Sequence, residues 1–119
     1  MTEFQQVRKG STQLLILGIL SKKPLHGYAI MRELETLSEG YFNMTAALLY
    51  PTLHQMELDG LLQGKWEDSI GNRRRKVYEI TQKGLKQLEA EQADWRQFIE
   101  KLFKTLGRAT AVPGDIHEH

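Results

Sequence analysis

Residues 61–80 read LLQGKWEDSIGNRRRKVYEI, and this stretch decides the fold. The segments 61–67 and 73–80 each have the length of a β-strand, and Val77 and Tyr78 are residue types that strands favour. Between them, residues 68–72 are mostly polar and contain a glycine, as expected of a turn. The stretch therefore predicts a β-hairpin.

Three helices are predicted before this hairpin. Residues 11–22 are apolar on nearly every face, which is typical of a buried helix with Ser11 or Thr12 as its N-cap. Residues 26–38 have one apolar face, and so does a third segment that follows two candidate N-caps, Asn43 and Thr45, and ends at about Asp59. Those faces consist of Ile30, Met31, Leu34 and Leu37 in the first case, and of Leu49, Leu53 and Met56 in the second. Pro51 lies inside the third pattern, so a kink or a late helix start is expected there.

A long helix is predicted after the hairpin, with Thr81 as its cap. Its apolar residues recur at alternating steps of three and four, the spacing of a coiled-coil seam, if Gln92 occupies the missing position between Leu88 and Trp95. The predicted seam consists of Leu85, Leu88, Trp95, Ile99, Leu102 and Leu106, flanked by Phe98 and Phe103. One small domain cannot cover so wide an apolar face, so we expect a partner chain.

The predicted fold is mainly α-helical with a β-hairpin, in the order helix, helix, helix, hairpin, long helix. This order is typical of a winged helix-turn-helix, in which the third helix points outward and the hairpin flanks it. We expect a winged helix-turn-helix DNA-binding domain over residues 1–80, a dimerisation helix over residues 81–106 and a flexible tail over residues 107–119.

Composition narrows the possible functions. The chain has 119 residues, a net charge of +1 and no cysteine, so disulfides and cysteine-based zinc sites are excluded and the cytoplasm is the expected location. Its longest apolar run, residues 14–20, is too short to cross a bilayer. It contains no glycine-rich phosphate loop, nucleophile elbow or paired-histidine motif, so we expect no enzyme, cofactor or metal site.

Five short motifs occur in order along the chain. They are Leu25-His26-Gly27-Tyr28, Leu49-Tyr50-Pro51-Thr52-Leu53, Glu57-Leu58-Asp59-Gly60-Leu61, Arg73-Arg74-Arg75-Lys76-Val77-Tyr78 and Thr81-Gln82-Lys83-Gly84. Over roughly residues 10–106 the sequence resembles the PadR family of bacterial transcriptional regulators, in its smaller branch with a single C-terminal helix. Several motifs in the same order are far more specific than any one of them.

The resemblance implies a homodimeric repressor whose last helix dimerises and whose third helix enters the major groove of double-stranded DNA. The DNA-facing residues implied by position are Thr45, Ala46, Tyr50, Pro51 and His54 on the third helix, and Asn72, Arg73 and Arg74 in the hairpin. The basic run adds Lys76, and the start of the second helix adds Tyr28, because helix N-termini favour phosphates.

Each of these interpretations has an alternative. Basic residues also protect exposed strand edges, and because strand side chains alternate, only every second cation of residues 73–76 shares a face. Tyr50 could pack against the hairpin instead of DNA. Gly27 could serve only to let two helices approach, with Tyr28 filling a gap.

Trp95 lies midway along the predicted seam, where interface packing is its simplest role. Some small members of the PadR family are similar in having a tryptophan in a cavity between subunits that stacks flat aromatic ligands. A small planar aromatic effector bound at Trp95 is therefore the second hypothesis.

The predicted function is a sequence-specific repressor that reads a pseudo-palindromic operator as a homodimer. The competing class is a winged-helix protein-interaction module without direct DNA binding, which the nearly neutral net charge favours. The two classes differ in whether Arg73→Ala and Arg74→Ala are tolerated.

Overall fold

The computed structural model describes residues 3–68 and 74–107, the first eight of them by their backbone only. The helices are α1 (Glu3–Leu20), α2 (Gly27–Leu37), α3 (Ala46–Leu58) and α4 (Gln82–Thr105), and the strands are β1 (Leu25–His26), β2 (Leu62–Asp68) and β3 (Arg74–Ile80). The strands form an antiparallel sheet in the order β1-β3-β2. The predicted order of helices and hairpin is therefore confirmed.

Two features near the N-terminus differ from the prediction. Helix α1 begins at Glu3, so Ser11 and Thr12 lie inside it and neither is its N-cap. Extending an existing helix avoids the cost of nucleating a new one, which lets the preceding polar residues join it. Strand β1 was not predicted, because two residues carry no pattern. It forms where Leu25 and His26 pair with the edge of β3 that faces away from β2.

The third helix begins and ends as the sequence indicates. The side chain of Thr45 accepts a hydrogen bond from the Leu48 N–H at 3.2 Å and so caps α3. The helix continues through Pro51, which excludes the late start. Helix α4 likewise begins after Thr81, whose hydroxyl accepts from the Gly84 N–H at 3.0 Å.

The chain divides into two compact units between Leu88 and Glu89. The first unit has an apolar core to which all three N-terminal helices contribute. Its fully buried side chains are Ile16, Leu17, Ile30, Leu49, Leu53 and Met56. Leu37 was expected on the inner face of α2 but is 54% exposed, because it is the last residue of that helix and the chain turns away at Ser38.

The arrangement of the first unit is a winged helix-turn-helix. Helix α3 packs its apolar face on the core, and the antiparallel hairpin of β2 and β3 follows it. We call β2, β3 and the segment between them the wing. No helix within residues 3–68 and 74–107 has the length and apolar character that crossing a membrane requires.

Candidate nucleic-acid interface

Helix α3 has one buried and one exposed face, and the exposed face carries the predicted reading residues. Leu49, Leu53 and Met56 are completely buried, which orients the rest of the helix outward. The predicted contact residues on this helix and its cap are all exposed; they are Thr45, Ala46, Tyr50, Pro51 and His54. This face offers a hydroxyl, a phenol and an imidazole to a ligand, all of which can hydrogen-bond to phosphates or base edges.

Tyr50 lies against the start of α2, and it also interacts electrostatically with Tyr78 of β3 in the hairpin. A Cβ atom built on Gly27 would lie 2.5 Å from Tyr50 Oη and 2.6 Å from Tyr50 Cε1. Gly27 therefore allows the two helices to approach, as one of the two interpretations proposed. The Tyr50 ring is still 44% exposed, so it is both packed and accessible.

Tyr28 does not fill a gap, because its ring is 57% exposed. The guanidinium of Arg32, one turn further along α2, lies 5.8 Å from the centre of this ring. That distance is within the range of a cation–π contact, which at exposed sites is worth about 0.5–1 kcal/mol. Tyr28 and Arg32 thus form an exposed pair on the first turns of α2.

The inner face of the wing holds a ladder of alternating cations and rings. The register pairs Trp66 with Lys76, and because side chains alternate along a strand, Arg74 shares their face. The Arg74 guanidinium lies 5.3 Å and the Lys76 ammonium 5.8 Å from the Trp66 ring centre, and Lys76 is also 5.5 Å from that of Tyr78. Arg74 Nε is 3.6 Å from Asp68 Oδ1.

Glu57 connects α3 to both strands of the wing. Its Oε1 accepts a hydrogen bond from Lys76 Nζ at 2.9 Å, and its Oε2 accepts one from the Gly64 N–H at 3.2 Å. The hydrogen bond from Lys76 lowers the pKa of the Glu57 carboxyl, and the same bond raises the pKa of the Lys76 ammonium. Lys76, predicted to contact DNA, is thus held within the domain by an ion pair.

The outer face of the wing presents a second set of charges. Arg75 Nη1 lies 3.3 Å from His26 Nε2, which connects β3 to β1. Burial, followed by the charge of Arg75, lowers the pKa of His26. Lys65 and Glu79 form an exposed ion pair at 3.6 Å on this face. The predicted alternation of the basic run is therefore present: the Arg74 and Lys76 side chains are on one face of β3, and the Arg75 side chain is on the other.

Two predicted DNA contacts, Asn72 and Arg73, lie outside the described residues, as does most of the tail predicted to be flexible. Sequence reasoning also missed Glu57, although it stands in one of the recognised motifs. Its role depends on Gly64 and Lys76, which are distant in sequence, so only a folded chain reveals it. Among the described residues, no group of three or more His, Asp or Glu side chains could hold a metal ion.

Helix α4 carries the residues predicted to dimerise. In the first unit Leu88 is 6% exposed and belongs to the core, so a single chain already buries it, and Leu85 is partly buried. In the second unit Phe98 is 52%, Leu102 40% and Leu106 60% exposed. The partly buried members of the second unit are Trp95, Ile99 and Phe103. Trp95 and Phe98 meet edge to face, with ring centres 5.8 Å apart.

Comparison with known proteins gives consistent results. A family model described as the transcriptional regulator PadR-like family matches residues 16–90. Transcriptional regulator Rv3488 of Mycobacterium tuberculosis is 33% identical over 116 residues, which are 97% of this chain and 98% of that protein. Transcriptional regulator YqjI of Escherichia coli is 30% identical over 95 residues, which are 80% of this chain but 44% of that protein. This chain therefore spans less than half the length of the second relative.

The fold has solved counterparts with the same description. The crystal structure of a PadR family transcriptional regulator from Eggerthella lenta superposes with a TM-score of 0.74 at 30% identity. The match covers 87% of this chain and 88% of the other. The family match over residues 16–90 includes α3 and the wing.

Proposed function

The chain belongs to the PadR-like family of transcriptional regulators, and we propose that it is a repressor that binds a pseudo-palindromic operator as a homodimer. The observation that carries this proposal is the two-faced helix α3. Its apolar side is buried, its polar side is exposed, and the wing lies beside it. Its relatives are named as regulators, which agrees with a non-enzymatic role.

The proposed contacts divide between two elements. Helix α3 enters the major groove with the exposed residues Thr45, Ala46, Tyr50, Pro51 and His54, and Tyr28 contacts the backbone from the start of α2. Arg74 reaches a phosphate from the wing, together with Asn72 and Arg73. Arg74 is suited to this, because its side chain is 61% exposed and its contacts, a 3.6 Å ion pair with Asp68 and a cation–π contact with Trp66, are both weak at an exposed site.

The proposed dimer forms through α4. Support comes from the exposed apolar side chains Phe98 and Leu102 on α4 and Leu106 directly after its last residue, which recur at steps of four. A second copy would cover these side chains. Leaving them exposed to water costs about 25 cal/mol for each Å² of apolar surface. Two α3 helices would then bind successive major grooves about 34–36 Å apart.

The test is a binding selection on genomic DNA fragments, followed by anisotropy titrations of the selected site at several salt concentrations. We expect a sequence-preferring complex whose affinity falls with salt. Arg74→Gln should reduce the slope of log K against log salt by about 0.9 per lost phosphate contact. Lys86→Gln, which removes the same charge from α4 outside the proposed interface, is the matched control. No sequence-preferring complex with any fragment would refute the proposal.

A protein-interaction module is the second candidate, favoured by the net charge of +1. It predicts that Arg73→Ala and Arg74→Ala leave partner binding intact and that no operator is selected.

For the DNA-binding regulator, the proposed location is the cytoplasm, where its DNA would be.

We also propose that a small planar aromatic effector binds near Trp95. Support comes from the Trp95–Phe98 pair, which offers ring faces beside the proposed dimer interface. A planar compound should quench tryptophan fluorescence saturably in the wild type and not in Trp95→Leu. Trp66→Leu is the control that keeps the response. Absence of quenching across a broad panel of planar aromatics would contradict the proposal.

A further inference from the structure

Glu57, Lys76 and Gly64 form a three-part connection that we call the clamp. One carboxylate on α3 binds a side chain of β3 through one oxygen and the backbone of β2 through the other. The Glu57 and Lys76 side chains are each only 26% exposed, which strengthens their attraction relative to a fully solvated pair. The clamp is therefore a polar bridge between the helix and the wing in the described part of the chain.

The backbone of β2 is shaped for this bridge. A Cβ atom built on Gly64 would overlap Lys76 Cε and lie 3.0 Å from Glu57 Oε2. Any larger residue would require the Lys76 side chain to shift. The absence of a side chain at Gly64 thus leaves room for Lys76 in its present position.

The clamp continues to the outer part of the wing. The Lys76 ammonium that Glu57 holds also lies over the Trp66 ring, and the other cation on that ring is Arg74. Contacts therefore run without interruption from α3, through Lys76 and Trp66, to the guanidinium proposed to reach a phosphate.

We propose that Glu57 is a positioning residue for DNA binding, which holds the wing at a set distance and angle from α3 so that Arg74 and the reading helix engage one duplex together. This inference rests on the proposed function. It also assigns Lys76 an internal role, because the charge of its ammonium is already balanced by the carboxylate 2.9 Å away.

The direction in which one substitution changes the affinity for DNA distinguishes a positioning role from a purely electrostatic one. Glu57→Gln removes a negative charge from a DNA-binding domain and releases the Lys76 ammonium. Coulomb's law alone therefore predicts tighter binding to a polyanion. The positioning role predicts weaker binding, on the order of tenfold, because the wing is no longer held.

The experiment is a double-mutant cycle on operator affinity. Glu57→Gln is measured in the wild type and in Arg74→Gln, with circular dichroism and thermal unfolding to establish that each variant is folded. We expect about a tenfold loss in the wild-type background and about twofold or less in Arg74→Gln, because a misplaced wing matters only while its cation is present. Glu79→Gln, the same charge change on the outer face of β3, is the matched control and should not weaken binding.

A second variant keeps the inference testable if Glu57→Gln does not fold. Lys76→Gln leaves the Glu57–Gly64 bond available and should weaken binding without changing the salt slope. A slope reduced by about 0.9 per protomer would instead identify Lys76 as a phosphate contact and overturn the inference.

The remaining outcomes are equally decisive. The positioning role is overturned if Glu57→Gln binds the operator as tightly as the wild type or more tightly, or if it loses the same affinity in both backgrounds. In either case, operator binding by the wild type leaves the proposed function intact. If the wild type itself selects no DNA site, the proposed function fails and the inference fails with it.

Discussion

Gly27→Ala tests whether the contact between α2 and α3 sets the position of a reading residue. The new Cβ would lie 2.5 Å from Tyr50 Oη and 2.6 Å from Tyr50 Cε1. Carbon atoms pack at about 3.5–4.0 Å, so the ring must move by about 1 Å. Because the ring is 44% exposed, it can swing toward solvent.

The magnitude follows from two opposing terms. Overpacking costs about 1–3 kcal/mol, and replacing glycine by alanine in a helix returns up to about 1 kcal/mol. The free energy of unfolding should therefore fall by about 1 kcal/mol, which lowers Tm by about 4 °C in a domain of this size. Operator affinity should fall as well, since Tyr50 is displaced from the reading face.

The assay combines urea unfolding with DNA anisotropy on Gly27→Ala, Tyr50→Ala and the double variant. With the ring removed, the alanine at position 27 keeps only its helix gain of up to about 1 kcal/mol, so the two substitutions should be non-additive by the overpacking cost of about 1–3 kcal/mol. Affinity should stay low in the double variant, because the phenol is absent. If the two substitutions change the free energy of unfolding additively, the contact between position 27 and the Tyr50 ring is refuted. If Gly27→Ala binds the operator as tightly as the wild type, the position of Tyr50 does not matter for DNA binding.

Three further predictions concern the rest of the chain. Glu57→Gln should lower the free energy of unfolding by about 1 kcal/mol at pH 7. Because the pKa of Glu57 in the folded protein is lowered from 4.5, this difference between variant and wild type should shrink as the pH falls below 4.5. A difference that is the same in urea titrations at pH 7 and pH 3 would contradict the prediction. Thr81→Ala should cost about 1–2 kcal/mol in thermal unfolding, since its hydroxyl caps α4 and also donates to the Gly60 carbonyl at 2.6 Å; an unchanged Tm would exclude that role. Phe98→Glu should sediment as a monomer, whereas Gln97→Glu on the same helix should remain dimeric, and equal behaviour of the two variants would argue against pairing through α4.

Much of the fold could be predicted because it depends on local patterns. The caps at Thr45 and Thr81 and the strands on either side of residues 69–73 follow from residue type and spacing alone. The early start of α1 could not be predicted, since polar residues without a pattern fit a helix as well as a loop. Strand β1 likewise depends on a neighbour about fifty residues away in sequence.

The candidate site shows the same division. Its residues could be named from motifs, because α3 exposes one face whenever its apolar residues are buried, and alternation along a strand separates Arg74 from Arg75. What each side chain does there depended on partners that sequence spacing does not identify. The basic run predicts that Lys76 contacts DNA, but the spacing does not show that its ammonium also binds Glu57.

The order of elements, the two-faced helix and the apolar face of α4 were thus determined by the sequence alone, because periodicity and capping act within a few residues. Tertiary structure decided which charges are free and which are paired. Ion pairs and close contacts such as Glu57–Lys76 and Tyr50–Gly27 arise only when distant segments meet, at distances of a few ångströms that no spacing along the chain encodes.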